Sequence, residues 1–374
     1  MSTIPLTLLF NQLKKEEFDL LRQFRDFYDQ EVRKVQVQFF PRYGASGAKV
    51  ILARFAEHGG VPYIIKMANK NDINREWNAC SDVKSYFNDA QVAPPKYSGD
   101  IGAISYTFHG STDTTEFNST ELNDLLFKDK NNIEANLKIL KNLYETNFDT
   151  AYQSANRSKF SWCSEYEWYL RERGADEMIE IAIGSQKDKE KVSLLGFEIL
   201  NPLFYIDQLD AVDEGLLGPI HGDLYASNIV LDRNKYPRLI DFCWSKKRGH
   251  LLKDFVLMEC SLRFMLLPKY LCLDSIIEID KRLNQCITFD KPELIDNIIK
   301  NSKSISFFEY ELLQYVKYLR TIAKKTYKDL NFPIHYMKAM YIILYGLLKF
   351  HTYSIHRGIL TLGLLSDEIY RNTK

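Results

Sequence analysis

The 374-residue sequence predicts an α+β fold in two lobes, a small β-rich one followed by a large α-helical one. Three observations carry that expectation. Alternation of apolar and polar residues with period two is concentrated between residues 35 and 109. Beyond residue 115 apolar side chains recur at helical spacing, as in "IEANLKILKNLYETNF" and "FFEYELLQYVKYLRTIAKKTY". No internal repeat divides the chain into equivalent units.

Taken in order, residues 1–34 read as an N-terminal helical extension. Phe18, Leu21, Phe24, Tyr28 and Val32 fall on one face of a helix across 16–34. The period then changes. "VQVQFF" alternates Val35, Val37 and Phe39 against polar neighbours, as a half-buried strand does. "AKVILARF" and "VPYIIKMA" are two further strands around a turn at "EHGG" (Glu57–Gly60). "INREWNACSDVKSYF" returns to helical spacing, and "PPKYSGDIGAISYTFHG" reads as a hairpin turning at Gly99 and Asp100. These elements place the small lobe at 35–109 and the helical lobe at 110–374.

Within the helical lobe, "GSQKDKEK" (Gly184–Lys191) reads as a solvated loop. Asn201 is a candidate N-cap with Pro202 at the first helical position. The most apolar run, "AMYIILYGLL" (Ala339–Leu348), lies between Lys338 and Lys349. It is too short to cross a bilayer, so it reads as a buried core helix. The aromatic stripe in "YELLQYVKYL" is expected in the core as well.

Lys+Arg and Asp+Glu both number 49, so the formal charge is zero and neither nucleic acid nor an anionic membrane is an expected partner. The six cysteines (Cys80, Cys163, Cys243, Cys260, Cys272 and Cys286) are scattered without a C-x-x-C pair. Neither a zinc site nor a disulfide framework is expected from them. The opening "MSTIPLTLLFNQLKK" has no basic residue before its apolar run and is a poor signal peptide, so a cytoplasmic protein is the expectation.

Chemistry concentrates in "HGDLYASNIVLD" (His221–Asp232) and in "DFCWS" from Asp241. Phosphoryl transfer needs a divalent cation on the phosphates, a carboxylate near the attacking hydroxyl and a cationic grip on the leaving phosphates. Mg2+ keeps several waters, so one carboxylate and one amide oxygen suffice from the protein. Asp223, Asn228 and Asp241 supply that inventory from two adjacent short turns, each next to an apolar strand ("IVL" and "RLI") that would fix its position. Asp223 would face the acceptor, with Asn228 and Asp241 on the metal.

His221-Gly222-Asp223 with Asn228, followed by Ile240-Asp241-Phe242, resembles the catalytic and metal loops of the protein-kinase-like superfamily. The "HGD" form is similar to the branch containing aminoglycoside phosphotransferases, choline kinases and fructosamine kinases. The resemblance covers about residues 35–265 and implies further machinery upstream, in order. Lys66, ending "YIIK", would grip the α- and β-phosphates, and Glu76 would pair with it. Gly44, Ser46 and Gly47 in "RYGASGAKVILARF" are either a phosphate-covering hairpin or a plain turn; both stay open. The backbone of Phe108 and His109 in "SYTFHG" would read the adenine edge. His221 is expected to pack the loop, and Asp254 to orient it from a helix. Cys243 stands where protein kinases place a glycine, and no Ala-Pro-Glu element follows. The spaced run "IDF", "GH", "KDF" also resembles kinase-like domains of bacterial conflict and defence proteins, a likeness from which no function is taken.

The resemblance thus implies an ATP- and Mg2+-dependent phosphotransferase, with ATP between the lobes and the acceptor on helices after residue 265. A small-molecule hydroxyl or amine is the favoured acceptor; a protein Ser or Thr, or an RNA end, stays open. Two alternatives remain: a catalytically silent, nucleotide-binding regulatory module, and a nucleotidyl transferase using the same residues. The basic run "SKKRGH" (Ser245–His250) reads as a solvated loop, with contact to an anionic acceptor as its sharper alternative.

Overall fold

In a computed structural model of the chain, the alternating segments of the small lobe assemble into one antiparallel sheet. The structure describes residues 4–5, 13–28, 34–39, 47–55, 62–87, 92–107, 120–128, 132–172, 175–206, 209, 211–232, 234–268, 271–288, 291–301, 305–328, 331–349 and 354–373. The "EHGG" turn lies outside them. The sheet has six strands in the order β1-β2-β3-β4-β6-β5. They are β1 (Ile4–Pro5), β2 (Lys34–Phe39), β3 (Lys49–Arg54), β4 (Pro62–Asn69), β5 (Val92–Ser98) and β6 (Ile101–Thr107).

Period-two alternation gives this sheet two unlike faces. Ile51, Ala53, Ile65 and Met67 point to one side, where helix α1 (Lys15–Tyr28) covers them with Leu20, Leu21 and Phe24. Lys49 Nζ also pairs with Glu17 Oε2 at 2.7 Å. The helix that the sequence sets in an N-terminal extension is therefore the outer wall of the sheet. Leu52, Ile64, Ile104 and Tyr106 point the other way, toward helix α2 (Lys70–Val83) and the large lobe. Lys66 shares this inner side with Ile64. The hairpin expected at Gly99 and Asp100 joins β5 to β6, with Gly99 at φ +59°.

The longer helices of the second lobe are α3 (Ile133–Asn142), α4 (Asp176–Ile183), α5 (Leu252–Cys260), α6 (Leu273–Thr288), α7 (Phe307–Tyr327), α8 (Phe332–Leu347) and α9 (Ile355–Thr373). α8 is the lobe's centre: Ala339 to Tyr345 are buried on every side, as the uniform apolar run predicts. α7 starts on a capping box, Ser306 with Glu309, and ends at Lys328 in the left-handed region. Asn201 Oδ1 accepts from the Leu203 amide at 3.1 Å ahead of a short helix starting at Pro202. Gly184–Lys191 is largely exposed. Among the described residues no helix is long and apolar enough to cross a membrane.

The large lobe also holds strands, of which the sequence leads one to expect only those at "IVL" and "RLI". β7 (Thr120–Glu121), β12 (Ile229–Leu231) and β13 (Pro237–Leu239) form one small sheet, and β9 (Lys191–Leu194) pairs with β10 (Phe197–Leu200). The third joins β8 (Asn156–Ser161), β11 (Val212–Ile220) and β14 (Lys246–His250). β14 corrects the expectation of a loop in the basic run. Gly249 leaves room on this strand for the Ile220 side chain, whose Cδ1 would lie 2.2 Å from a Cβ placed there. Lys246, Lys247 and Arg248 keep their charges in solvent.

Candidate active site

The site begins with strand β4. Lys66 lies opposite Val50 of β3 and Ile104 of β6, at the centre of the sheet. Asn69 then ends the strand and caps the next helix, its side chain accepting from the Asp72 amide at 3.0 Å. α2 therefore starts within one turn of Lys66 and carries Glu76 back over the strand. Lys66 Nζ lies 2.8 Å from Glu76 Oε2. The other oxygen, Glu76 Oε1, accepts from the Tyr106 hydroxyl of β6.

The second half of the site is a hairpin. β12 and β13 pair with Ile229 opposite Leu239, which brings Asn228 and Ile240 together at the open end. The Ile240 amide donates to the Asn228 carbonyl at 3.1 Å. Asp241 follows at φ +63°, a conformation a non-glycine residue rarely holds and one that turns its carboxylate out of the strand. There Asp241 Oδ1 lies 2.8 Å from Lys66 Nζ. One ammonium thus joins strand, helix and hairpin.

The loop after β11 is held from below. Asp254 of α5 accepts from the His221 amide at 2.7 Å and from the Gly222 amide at 2.8 Å. Gly222 sits at φ +80°, and a Cβ there would meet the Trp244 carbonyl at 2.2 Å. Only glycine fits that approach. His221 is fully buried; its Nε2–H donates to the Ile240 carbonyl at 3.0 Å, and its ring packs 5.0 Å from that of Phe242. The loop is thereby fastened to the hairpin. Asn228 then donates its amide to the Asp223 carbonyl at 2.7 Å and to Asp223 Oδ2 at 3.1 Å.

Burial and charge pull these groups in different directions. Burial pushes the Asp223 carboxyl up to about 7, Asp241 adds to the rise, and the Asn228 amide opposes it. Burial likewise raises Asp254 to about 6 against the two amides it accepts. The same desolvation holds His221 down to about 4, hence neutral. Burial works to lower the Lys66 ammonium, but Glu76 and Asp241 outweigh it and its pKa rises. Glu76 is raised by burial more than Lys66 lowers it.

The structure therefore brings Lys66, Glu76 and Asp241 into direct contact, and Asp223 and Asn228 into another. Gly47 starts the approach to β3 at φ +72°. Gly44, Ser46, Phe108 and His109 lie outside the described residues. Sequence reasoning missed Tyr106, although Ile104 and Tyr106 alternate onto the same sheet face as Lys66. Among the described residues no cluster of three or more His, Cys, Asp or Glu could hold a metal by itself.

Residues 170–342 match the family model described as Ternary complex associated domain 9. No curated protein matches the chain in sequence. Among solved structures the chain is similar to choline kinase LicA from Streptococcus pneumoniae, at 12% identity over 90% of this chain and 94% of that one, with a TM-score of 0.41. It is similar to the amicoumacin kinase hAmiN in complex with AMP-PNP, Ca2+ and Ami, at 13% identity over 98% and 96%, TM-score 0.39. A third similar structure is Plasmodium vivax ethanolamine kinase, at 14% identity over 96% and 89%, TM-score 0.38.

Proposed function

We propose that this protein is a kinase-like, ATP- and Mg2+-dependent phosphotransferase, its nucleotide lying between the lobe of residues 35–109 and that of 110–374. The observation that supports the reading is the position of Lys66, 2.8 Å from Glu76 and 2.8 Å from Asp241. An ammonium held by carboxylates from both lobes, at the sheet's inner face, is placed to take phosphate oxygens. The donor set fits the cation. Asn228 gives its NH2 to Asp223, so its amide oxygen is the end left for a metal, and Asp241 adds a carboxylate. Such hard oxygen ligands suit Mg2+. Bound there with ATP, Mg2+ would neutralise charge on the phosphates.

In this reading Lys66 holds phosphates and Glu76 keeps it aimed. Asp223 orients the acceptor hydroxyl or amine and takes its proton, a task suited to a carboxyl raised toward neutrality. Asp254 keeps the His221–Asp223 backbone in place. Gly44, Ser46 and Gly47 over the phosphates, and the backbone of Phe108 and His109 at the adenine, belong to the same proposal. So do a small-molecule acceptor on the helical lobe and a cytoplasmic location.

The test is Asp223→Ala. Mg-ADP should raise its Tm as it does the wild type's, while γ-phosphate consumption with a cell extract drops about 10²–10⁴-fold. Undiminished turnover overturns the role of Asp223. A second reading is a catalytically silent, nucleotide-binding regulatory module; what supports it is the family description, which names association with a ternary complex and no reaction. Mg-ATP binding by the wild type with no consumption in any extract selects it. The mass added to a labelled product separates phosphoryl from nucleotidyl transfer.

A further inference from the structure

Helix α2 carries two stripes. Ile73, Glu76, Cys80 and Val83 form the buried one. Arg75 and Asp82, two helical turns apart, share a different line, and that line runs beside the segment following Asp241. Arg75 Nε donates to Cys243 Sγ at 3.0 Å, and its guanidinium lies 4.8 Å from the Trp244 ring centroid. Farther along, Asp82 Oδ1 lies 3.0 Å from Lys247 Nζ, on the first half of β14. Trp244 continues the contact into the large lobe, its ring 4.9 Å from Trp168 and its carbonyl filling the space above Gly222.

These contacts bear on a difficulty in the Lys66 bridge. As long as one ammonium serves both Glu76 and Asp241, it ties α2 to the hairpin. Phosphates that draw on the same ammonium weaken that tie. Yet Glu76 and Asp241 must keep their spacing for the site to work.

We propose that Arg75 and Asp82 are positioning residues: they latch α2 onto residues 243–247 and hold Glu76 and Asp241 in reach of Lys66 when nucleotide loosens the bridge. The functional consequence rests on the nucleotide site proposed above; the latch itself does not. It gives the basic run a use, since Lys247 is one of its ends. All its members are partly exposed, so each contact alone is worth roughly a fewfold in equilibrium, and the latch acts through the sum.

Hydrogen–deuterium exchange of the full chain tests this without nucleotide. Arg75→Ala and Asp82→Lys should each speed exchange in α2 and in residues 243–250 together, with Tm nearly unchanged. Arg75→Lys, which keeps the charge but not the flat guanidinium, should fall between. The exchanged pair Asp82→Lys with Lys247→Asp should restore protection in both segments. With Mg-ATP, Arg75→Ala should raise KM about tenfold and Asp82→Lys a fewfold, each with kcat nearly unchanged, and adding Lys247→Asp to Asp82→Lys should return KM toward wild type. Faster exchange confined to the substituted segment, or no restoration by the exchanged pair, overturns the latch. If wild type consumes no ATP but exchange remains coupled, the functional reading falls and the latch stands.

Discussion

In the large lobe Arg263, Arg320 and Arg357 surround Glu259 and Asp280, whereas at the lobe junction a single ammonium, Lys66, serves Glu76 and Asp241. Both clusters withdraw charge from water, and burial alone raises the buried carboxyls of each. The outcomes are opposite. Around Glu259 the guanidiniums of Arg320 and Arg263 outweigh burial, and its pKa falls; Arg357 and Arg263 do the same for Asp280. Tyr336 donates its hydroxyl to Glu259 Oε2 at 2.8 Å, and Arg357 donates from its third nitrogen, Nη1, to the Arg263 carbonyl at 2.7 Å. At the junction burial prevails, and Glu76 and Asp223 are both raised. A cluster supplied with enough positive charge is structural. One left short of it keeps raised carboxyls, the pattern on which the proposed cation site rests.

The comparison predicts its largest effect in the large lobe. Glu259→Gln removes one charge from between two buried guanidiniums and should cost ~3–5 kcal/mol, read as a Tm lowered by several degrees. Under the proposed function, Mg-ADP should raise the Tm of the variant by as much as that of the wild type. A Tm within a degree of wild type would break the contrast, because it would mean that this network carries no net stability.

A smaller effect follows from the neutral histidines. His250 is fully buried between the Tyr166 hydroxyl at 2.7 Å and the Tyr327 hydroxyl at 2.9 Å. Burial holds its pKa well below 6.5, with His335 and Lys253 acting in the same direction. A lowered folded-state pKa contributes stability that is present above 6.5 and lost as pH falls below it. At pH 5 the loss should be about 2 kcal/mol. His250→Gln keeps a donor and an acceptor without the titration, so its Tm should fall less than that of wild type between pH 7 and pH 5. Parallel curves would show that His250 does not supply the slope.

How much of this was legible in the sequence depended on how local the determining contacts are. Lys66 and Glu76 were paired by the resemblance, and their contact is a local one because a strand end and the first turns of the next helix are close by construction. Asp223 and Asn228 are five residues apart and meet through one short loop. Tyr106 could not be read, since its contact with Glu76 depends on the register of β6 against β4. Neither could the Arg263–Asp280–Arg357 group, whose ends are 94 residues apart in the chain. The strand β14 was missed because "KKRGH" carries no apolar alternation; its Gly249 leaves room for the Ile220 side chain, and Gly218 opposite it leaves room for Ala155. Gly222 was legible only as part of a motif; the Trp244 carbonyl beneath it is the physical reason.

The sharpest form of the comparison is Asp223→Asn, which also takes a charge out of a buried cluster but should act in the opposite direction to Glu259→Gln. A carboxyl raised from 3.8 to about 7 favours the folded state only while protonated. That contribution is present below 3.8 and is lost as pH rises through about 7, so at pH 8 the ionised group opposes folding. Asparagine is neutral at every pH and can still accept from Asn228 Nδ2. Asp223 retains some exposure, which screens the effect to ~1–2 kcal/mol. The variant should therefore melt a few degrees above wild type at pH 8 and close to it at pH 4, while turnover is lost. A variant that melts lower at pH 8 would place Asp223 with Glu259 among the structural charges, and the distinction drawn between the two clusters would fail.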